Sequence, residues 1–304
     1  MRSGAALGRV IPLLCTLLAL LVPGLAVAAS DFLSVSYSKK SQIRTSMRWM
    51  QHQPKLIRGA DLTALEIQGS AHTPGTAPNL DNPPSSPEAF TSLQLPYSGV
   101  GKLFFTKKGG KIGTCSAAFA GASDLIVTAA HCALAMDGEW NNDFLFIRSY
   151  GAENQEAYGI GCVATPRQWG ELTDNKALQY DYAFLKAIRV SGVGSLGITN
   201  ALPPAKVLLV GYADKYFNGR KLIRMQAPTF MSEPGQIGTS DNPLGSGSSG
   251  MPWLGRSTVH SVTSHFYAGR ADVMWGPLFT AQTMQLMRYV RNGCELTASG
   301  GTGG

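Results

Sequence analysis

Residues 128–132 read TAAHC and follow the apolar run LIV at 125–127, which is typical of a buried strand. Cys115 precedes them in GTCSA at 113–117, and DYAFL at 181–185 and GSSGMPW at 247–253 follow. A histidine, an aspartate and a serine thus come in that order, each inside a short motif. This order indicates nucleophilic catalysis by a serine hydroxyl that a histidine activates.

The motifs resemble those of the trypsin-like serine endopeptidases. TAAHC matches the histidine motif of that family letter for letter, GSSGMP resembles its GDSGGP, and DYAFL resembles its DIALL. The spacing is closest to the bacterial and fungal branch that includes glutamyl endopeptidases. The resemblance spans roughly residues 100–290 and implies two antiparallel six-stranded β-barrels with the site between them.

The pattern of the chain after residue 97 independently predicts an all-β protein. Short apolar runs alternate with turn residues, which favours a barrel or a sandwich. A helical spacing is clear only at Met284, Met287 and Val290, and Gly293 stands where a C-terminal cap belongs. We therefore expect one C-terminal α-helix.

The chemistry of the three motifs assigns a role to each residue. Ser249 is the expected nucleophile, His131 the base that takes its proton, and Asp181 the carboxylate that orients the imidazole. The backbone N–H groups of Gly247 and Ser249 are expected to form the oxyanion hole. The less favoured candidates are two serines and three aspartates: Ser246, Ser248, Asp137, Asp143 and Asp174. This chemistry requires no cofactor and no metal, and the spacing of Cys115, His131 and Cys132 does not match structural zinc.

The residue before the expected nucleophile departs from the animal enzymes of that family. They carry an aspartate there, which pairs with a new N-terminal amine after cleavage, whereas this chain has Ser248. We therefore expect that activation switch to be absent. If the protein is a zymogen, removal of its N-terminal arm is the expected activation.

Substrate preference is weakly encoded. Pro243 stands where trypsin-like pockets carry an aspartate, so cleavage after Lys or Arg is not indicated, although Asp241 is near. Ser264, His265 and Phe266 resemble the strand that binds the substrate backbone. His265, or alternatively His260, is a candidate for recognising an acidic side chain. The opposing interpretation is that both histidines are ordinary strand residues and the pocket prefers an apolar or small side chain.

The N-terminal region has the pattern of an exported protein. Arg2 and Arg9 precede an apolar run that ends in Ala26-Val27-Ala28, which predicts a signal peptide over residues 1–28. Residues 29–96 are rich in Ser, Pro and Asn and are interpreted as a propeptide or flexible arm. The protease domain is expected over 97–297 and a flexible Gly-rich tail over 298–304. We expect a secreted monomer, or a periplasmic one in a Gram-negative source, with no stable membrane association.

Four cysteines remain after the predicted signal peptide, which allows three pairings on paper. The resemblance implies a Cys115–Cys132 disulfide around the histidine loop, and it leaves Cys162 and Cys294 as the second pair.

Composition and motifs disfavour other functions. A hydrophobic fraction of 44% with 15% charged residues excludes a disordered chain. The net charge of +7 includes a small cluster, Lys107, Lys108 and Lys111, that is interpreted as a hairpin turn and not as a nucleic-acid site. A lipase would require glycine where Met251 stands. Protein or peptide substrates are the expected partners, and the alternative function is a catalytically inactive homologue that acts as a secreted binding protein.

Overall fold

The computed structural model describes residues 31–38, 41, 45, 83–231, 233–270 and 272–295. The predicted signal peptide and the Gly-rich tail lie outside these residues. The described chain forms two β-sheets and a C-terminal α-helix, as the fold prediction requires. No helix within the described ranges is long and apolar enough to span a membrane.

The first sheet closes into a six-stranded antiparallel barrel. The barrel closes because β7 (Glu156–Pro166) pairs with both β6 (Asn142–Arg148) and β8 (Ala183–Ala187). Its interior is filled by large side chains such as Phe119, Phe146 and Tyr158, and the Phe119 ring meets the other two edge to face. The six strands are β3 (Val100–Thr106), β4 (Ile112–Phe119), β5 (Leu125–Thr128), β6 (Asn142–Arg148), β7 (Glu156–Pro166) and β8 (Ala183–Ala187).

The second sheet holds the other six barrel strands. His265, just beyond β14 (Thr258–Val262), bridges Trp275 of β15 (Met274–Pro277), and this contact joins the first and the last of these six strands in their hydrogen-bonded order. The strands are β10 (Lys206–Gly211), β11 (Ile223–Phe230), β12 (Gln236–Thr239), β13 (Pro252–Gly255), β14 (Thr258–Val262) and β15 (Met274–Pro277). A further short strand, β9 (Gly197–Ile198), pairs with β14 in parallel, which the antiparallel prediction did not include.

Two helices pack on the first barrel. The short α1 (Arg167–Glu171) follows β7, and α2 (Ala281–Arg291) begins at a capping box in which Thr280 and Thr283 exchange hydrogen bonds. The expected helix is thereby confirmed, and Gly293 ends it with a φ of 81°. Beyond it, Cys294 forms a disulfide with Cys162 of β7.

Two described segments of the predicted N-terminal arm are strands. β1 (Phe32–Ser36) pairs antiparallel with β7, and β2 (Glu88–Ala89) pairs with β11 of the second sheet. Leu33, Val35 and Tyr37 alternate along β1 and pack against the core of the first barrel. Both segments are therefore built into the fold: β1 buries apolar surface through its alternating side chains, and β2 is held by its pairing with β11.

The three lysines that the sequence places in a hairpin turn lie between strands β3 and β4. Lys108 belongs to a short 3-10 turn between β3 and β4, with Lys107 and Lys111 on either side. Lys108 pairs with Glu139 in an exposed ion pair of 2.7 Å.

Candidate functional site

The pairing of β5 with β8 brings His131 and Asp181 together. Thr128 at the end of β5 lies opposite Ala183 at the start of β8, so the residues just outside these strands share one end of the barrel. His131 lies in a 3-10 turn after β5, and Asp181 follows another 3-10 turn before β8. The side chain of Asp181 is 1% exposed, so its carboxylate depends on protein partners.

The Asp181 carboxylate accepts three hydrogen bonds. The backbone N–H of His131 donates to Oδ1 over 2.9 Å, and the ring Nδ1 lies 2.8 Å from Oδ2. The Ser264 hydroxyl donates to Oδ2 over 2.5 Å. Burial alone would raise the pKa of Asp181, but the His131 charge and these hydrogen bonds hold it below its usual range.

The same contacts set the protonation of His131. Burial favours the neutral imidazole and is the largest single influence, but the charge of Asp181 and the hydrogen bond to it together raise the pKa of His131 above its usual value. With Nδ1 committed to Asp181, the other ring nitrogen, Nε2, is the one that can exchange a proton with a substrate or a serine.

The loop with Ser249 docks onto the first barrel near His131. Ser116 of β4 donates its backbone N–H to the Ser249 carbonyl over 2.8 Å. A Cβ on Gly250 would lie 2.0 Å from the Thr128 hydroxyl, so only glycine permits this approach, three residues before His131. Within the described part of the chain the half-buried Ser249 hydroxyl forms no hydrogen bond; such contacts often tighten only when substrate is bound.

Gly247 has the backbone conformation that its predicted role requires. Its φ is 81°, in the left-handed region that glycine tolerates. Its carbonyl accepts a hydrogen bond of 3.1 Å from the Ser116 hydroxyl. Ser248 does not carry a charge here, and its hydroxyl donates to the Gly245 carbonyl over 2.6 Å.

The two expected disulfides are both present. Cys115 and Cys132 are bonded across 17 residues, next to His131 in the chain. Their sulfurs and the His131 ring lie within 4.8 Å of one another, an arrangement that could suggest a metal site. The two sulfurs are bonded to each other in the disulfide, however, so neither is a thiolate that could bind a metal ion.

A cavity of about 540 Å³ opens beside His131 and Asp181. Its walls include Trp169 of α1 and, from the second sheet, Ser264 and His265. The Trp169 and His131 rings lie 6.4 Å apart, between centroids. The lining of the cavity takes in His131 and Asp181 but not Ser249, so it is a candidate for the part of the substrate cleft on the histidine side. Trp169 is a wall residue that the sequence motifs did not indicate.

His265 lies in the cleft as a neutral imidazole with a defined tautomer. Its Nδ1 is 2.9 Å from the Ser264 hydroxyl, whose single proton already goes to Asp181. Nδ1 of His265 must therefore be the donor, which leaves Nε2 as an acceptor. Burial lowers the pKa of His265 to about 4, with the nearby His131 acting in the same direction and Asp181 opposing it.

The other candidate specificity residues do not share this cavity. His260 contacts the Ala201 carbonyl and lines a separate cavity of about 700 Å³ with Leu95 and Pro204. Phe266 is exposed, and Asp241 is an exposed residue at a positive φ. Of the two histidines, only His265 lines the cleft.

Comparison with known proteins gives structural relatives only. No family model and no curated protein matches the chain. A crystal structure of the protease Anisep from Arthrobacter nicotinovorans is 26% identical, covers 69% of this chain and 100% of its own, and has a TM-score of 0.58. The thermostable serine protease AL20 from an extremophilic microorganism is 23% identical, with coverages of 64% and 98% and a TM-score of 0.55.

A third solved structure is that of a Glu endopeptidase. It is 17% identical, covers 68% of this chain and 96% of its own, and has a TM-score of 0.57. At this identity the likeness concerns the fold alone.

Proposed function

Because the chain has the chymotrypsin fold of the trypsin-like serine proteases, we propose that it is an active serine endopeptidase. The observation that carries the proposal is the double hydrogen bond between buried Asp181 and His131, which orients the imidazole for proton transfer. Protein or peptide chains are the proposed substrates.

The proposed reaction has two half-reactions. Nε2 of His131 takes the proton of the Ser249 hydroxyl while Oγ attacks the scissile carbonyl carbon, and the carbonyl electrons move to oxygen. The backbone N–H groups of Gly247 and Ser249 stabilise this oxyanion. The tetrahedral intermediate then expels the amine, which takes the proton from His131, and leaves an acyl group on Ser249.

Water completes the cycle. His131 now takes a proton from water, whose oxygen attacks the acyl carbon. The second tetrahedral intermediate then breaks its bond to Ser249 Oγ and releases the acid, while His131 returns the proton to Oγ. Asp181 stays ionised throughout and stabilises the imidazolium in both half-reactions.

Export is part of the proposal. Two disulfides are typical of proteins that fold in an oxidising compartment, which supports the signal peptide predicted over residues 1–28. Whether the protein belongs to the glutamyl-endopeptidase-like branch depends on its preference for the residue before the cleaved bond. His265 lies in the cleft beside His131, but its neutral ring leaves only an acceptor at Nε2, which does not favour an ionised acidic side chain.

A peptide-library cleavage profile of the purified protein tests the proposal, with Ser249→Ala and Ser246→Ala beside it. We expect cleavage that disappears in Ser249→Ala and persists in Ser246→Ala, since Ser246 is an exposed loop residue. Cleavage after Glu would mean that the His265 ring is protonated or reoriented when substrate binds, and cleavage after Lys or Arg would support Asp241. No cleavage by any form, although the wild type is folded, would favour the alternative of an inactive binding homologue.

A further inference from the structure

A lysine of the first barrel is buried beside the loop that precedes Ser249. Lys102 of β3 is 5% exposed, and its ammonium donates to the Gly219 carbonyl over 2.9 Å. The Asp214 carboxylate, from the loop after β10, lies 3.5 Å from the same ammonium. The ion pair therefore connects the first sheet to the second.

Asp214 in turn packs directly against Gly247. A Cβ on Gly247 would lie 2.7 Å from Asp214 Oδ1, so the carboxylate occupies the space beside this glycine. The backbone N–H of Asp214 donates to the Ser246 carbonyl over 2.8 Å. Asp214 thus contacts both residues of the Ser246–Gly247 peptide unit.

The orientation of this peptide unit decides where the Gly247 N–H points. In a trans peptide the carbonyl oxygen and the N–H point in opposite directions, so a fixed Ser246 carbonyl also fixes the Gly247 N–H. The next carbonyl, that of Gly247, is held by the Ser116 hydroxyl, which itself accepts the Tyr212 N–H over 2.8 Å. The carbonyl groups of Ser246 and Gly247, which lie on either side of the Gly247 N–H in the chain, therefore both accept a hydrogen bond.

We propose that Lys102 is a positioning residue for the oxyanion hole: by holding the Asp214 carboxylate, it keeps the Ser246–Gly247 peptide oriented with the Gly247 N–H towards the substrate oxygen. This inference rests on the proposed function. It assigns a purpose to a buried charge that is otherwise costly, since burial disfavours the ammonium and lowers the pKa of Lys102 despite the nearby Asp214. Ser248 is uncharged and therefore takes no part in this electrostatic positioning of the loop.

Lys102→Met separates this role from a merely structural one. Methionine keeps a similar length and removes the charge, and Asp214 stays solvated because about half of its side chain is exposed. We expect kcat to fall about tenfold or more with KM within about twofold, because a misdirected oxyanion donor weakens only transition-state binding. Affinity for a peptide aldehyde, whose hemiacetal oxygen occupies the hole, falls by the same factor.

Lys186→Met is the matched control. It removes another ion pair between elements, Lys186–Asp124 at 2.7 Å, outside the cleft. We expect its kcat and aldehyde affinity to stay within about twofold of the wild type. A folded Lys102→Met protein with wild-type kcat overturns the proposal. Loss of a merely structural contact lowers thermal stability and leaves kcat unchanged.

Two further measurements cover the remaining outcomes. If Lys102→Met does not fold, Asp214→Asn tests the proposal instead. It weakens the same ion pair by changing Asp214, which is the half-exposed partner. If the wild type itself shows no turnover, the proposed function fails, and crystal structures of the wild type and Lys102→Met then test the positioning alone. A rotated Ser246–Gly247 peptide in the variant supports the proposal, and an unchanged Gly247 φ near 81° overturns it.

Discussion

Asp181 holds His131 at two points, through the backbone N–H at 2.9 Å and through ring Nδ1 at 2.8 Å. The two bonds go to different carboxylate oxygens, so the carboxylate bridges the main chain and the side chain of one residue. The position of the ring and the position of its backbone are thereby coupled. Any change in the hydrogen-bonding character of Asp181 acts on both.

Replacing Asp181 by asparagine tests this coupling. An amide NH₂ cannot accept from His131 Nδ1–H, so the ring adopts the opposite tautomer and Nε2 no longer accepts the serine proton. We expect kcat to fall by about 10⁴-fold. Asp174→Asn is the control, because Asp174 is an exposed residue whose carboxylate contacts Lys176, through a hydrogen bond from its backbone N–H and an ion pair of 4.0 Å with its ammonium. Steady-state kinetics at saturating substrate measure both, and equal losses in the two variants would argue against Asp181 as the orienting carboxylate.

The pH dependence of kcat/KM follows from the raised pKa of His131. The base must be neutral to act, so activity is lost as the pH falls through a pKa above the usual value of about 6.5. We expect the acid limb of the profile to have its inflection above pH 6.5. His265→Gln serves as the control. Its inflection should also lie above pH 6.5, because His265 has a pKa of about 4 and does not titrate in that range. An inflection below pH 6.5 in the wild type would contradict the assignment.

The two disulfides should differ in what their removal costs. In the chain-entropy model the 17-residue Cys115–Cys132 bridge stabilises by about 3 kcal/mol, and the 132-residue Cys162–Cys294 bridge by about 5 kcal/mol. We expect the Cys162→Ser/Cys294→Ser pair to lose more unfolding free energy but to keep kcat. The Cys115→Ser/Cys132→Ser pair loses less stability and more activity, because it releases the histidine loop. Denaturant unfolding and kinetics on both proteins check this order, and the reverse ranking in kcat would refute it.

Phe32→Ala tests whether β1 belongs to the mature protein. Phe32 is 4% exposed and packs on Tyr289 of α2 with a ring-centroid distance of 5.5 Å. We expect its truncation to lower the unfolding free energy of the secreted protein by about 3 kcal/mol. Val190→Ala, at a residue that is 62% exposed, changes it by about 0.5 kcal/mol or less. Equal stability of Phe32→Ala and wild type would mean that the segment is removed on maturation.

The sequence predicted the fold class, the C-terminal helix and the proximity of His131 and Asp181. These features depend on short motifs and on strand pairing between neighbouring segments. β1 was missed although its signal is present, because Leu33, Val35 and Tyr37 alternate within a segment whose overall composition is that of a linker. Composition averaged over 29–96 concealed this local period of two.

Other parts of the site depend on contacts that no local pattern carries. Lys102 and Asp214 are 112 residues apart, and a lysine within a strand gives no sign that it is buried. The choice between His260 and His265 depended on strand register, which shifts between Trp253 and Leu254 where β13 pairs with β14. A bulge of this kind leaves too weak a mark in the sequence to be placed in advance.

The first strand and the last described residues of the chain meet on the same strand of the first barrel. Ser36 of β1 lies opposite Cys162 of β7, the cysteine that bonds Cys294, and Ser34 and Tyr289 share a hydrogen bond of 2.9 Å. A newly made chain emerges with its N-terminus first. β1 therefore cannot pair until β7 has been synthesised. The disulfide that fixes β7 cannot form until Cys294 has been synthesised. It follows that the locked native state forms only after Cys294 has been synthesised and has reached the oxidising compartment in which it pairs with Cys162.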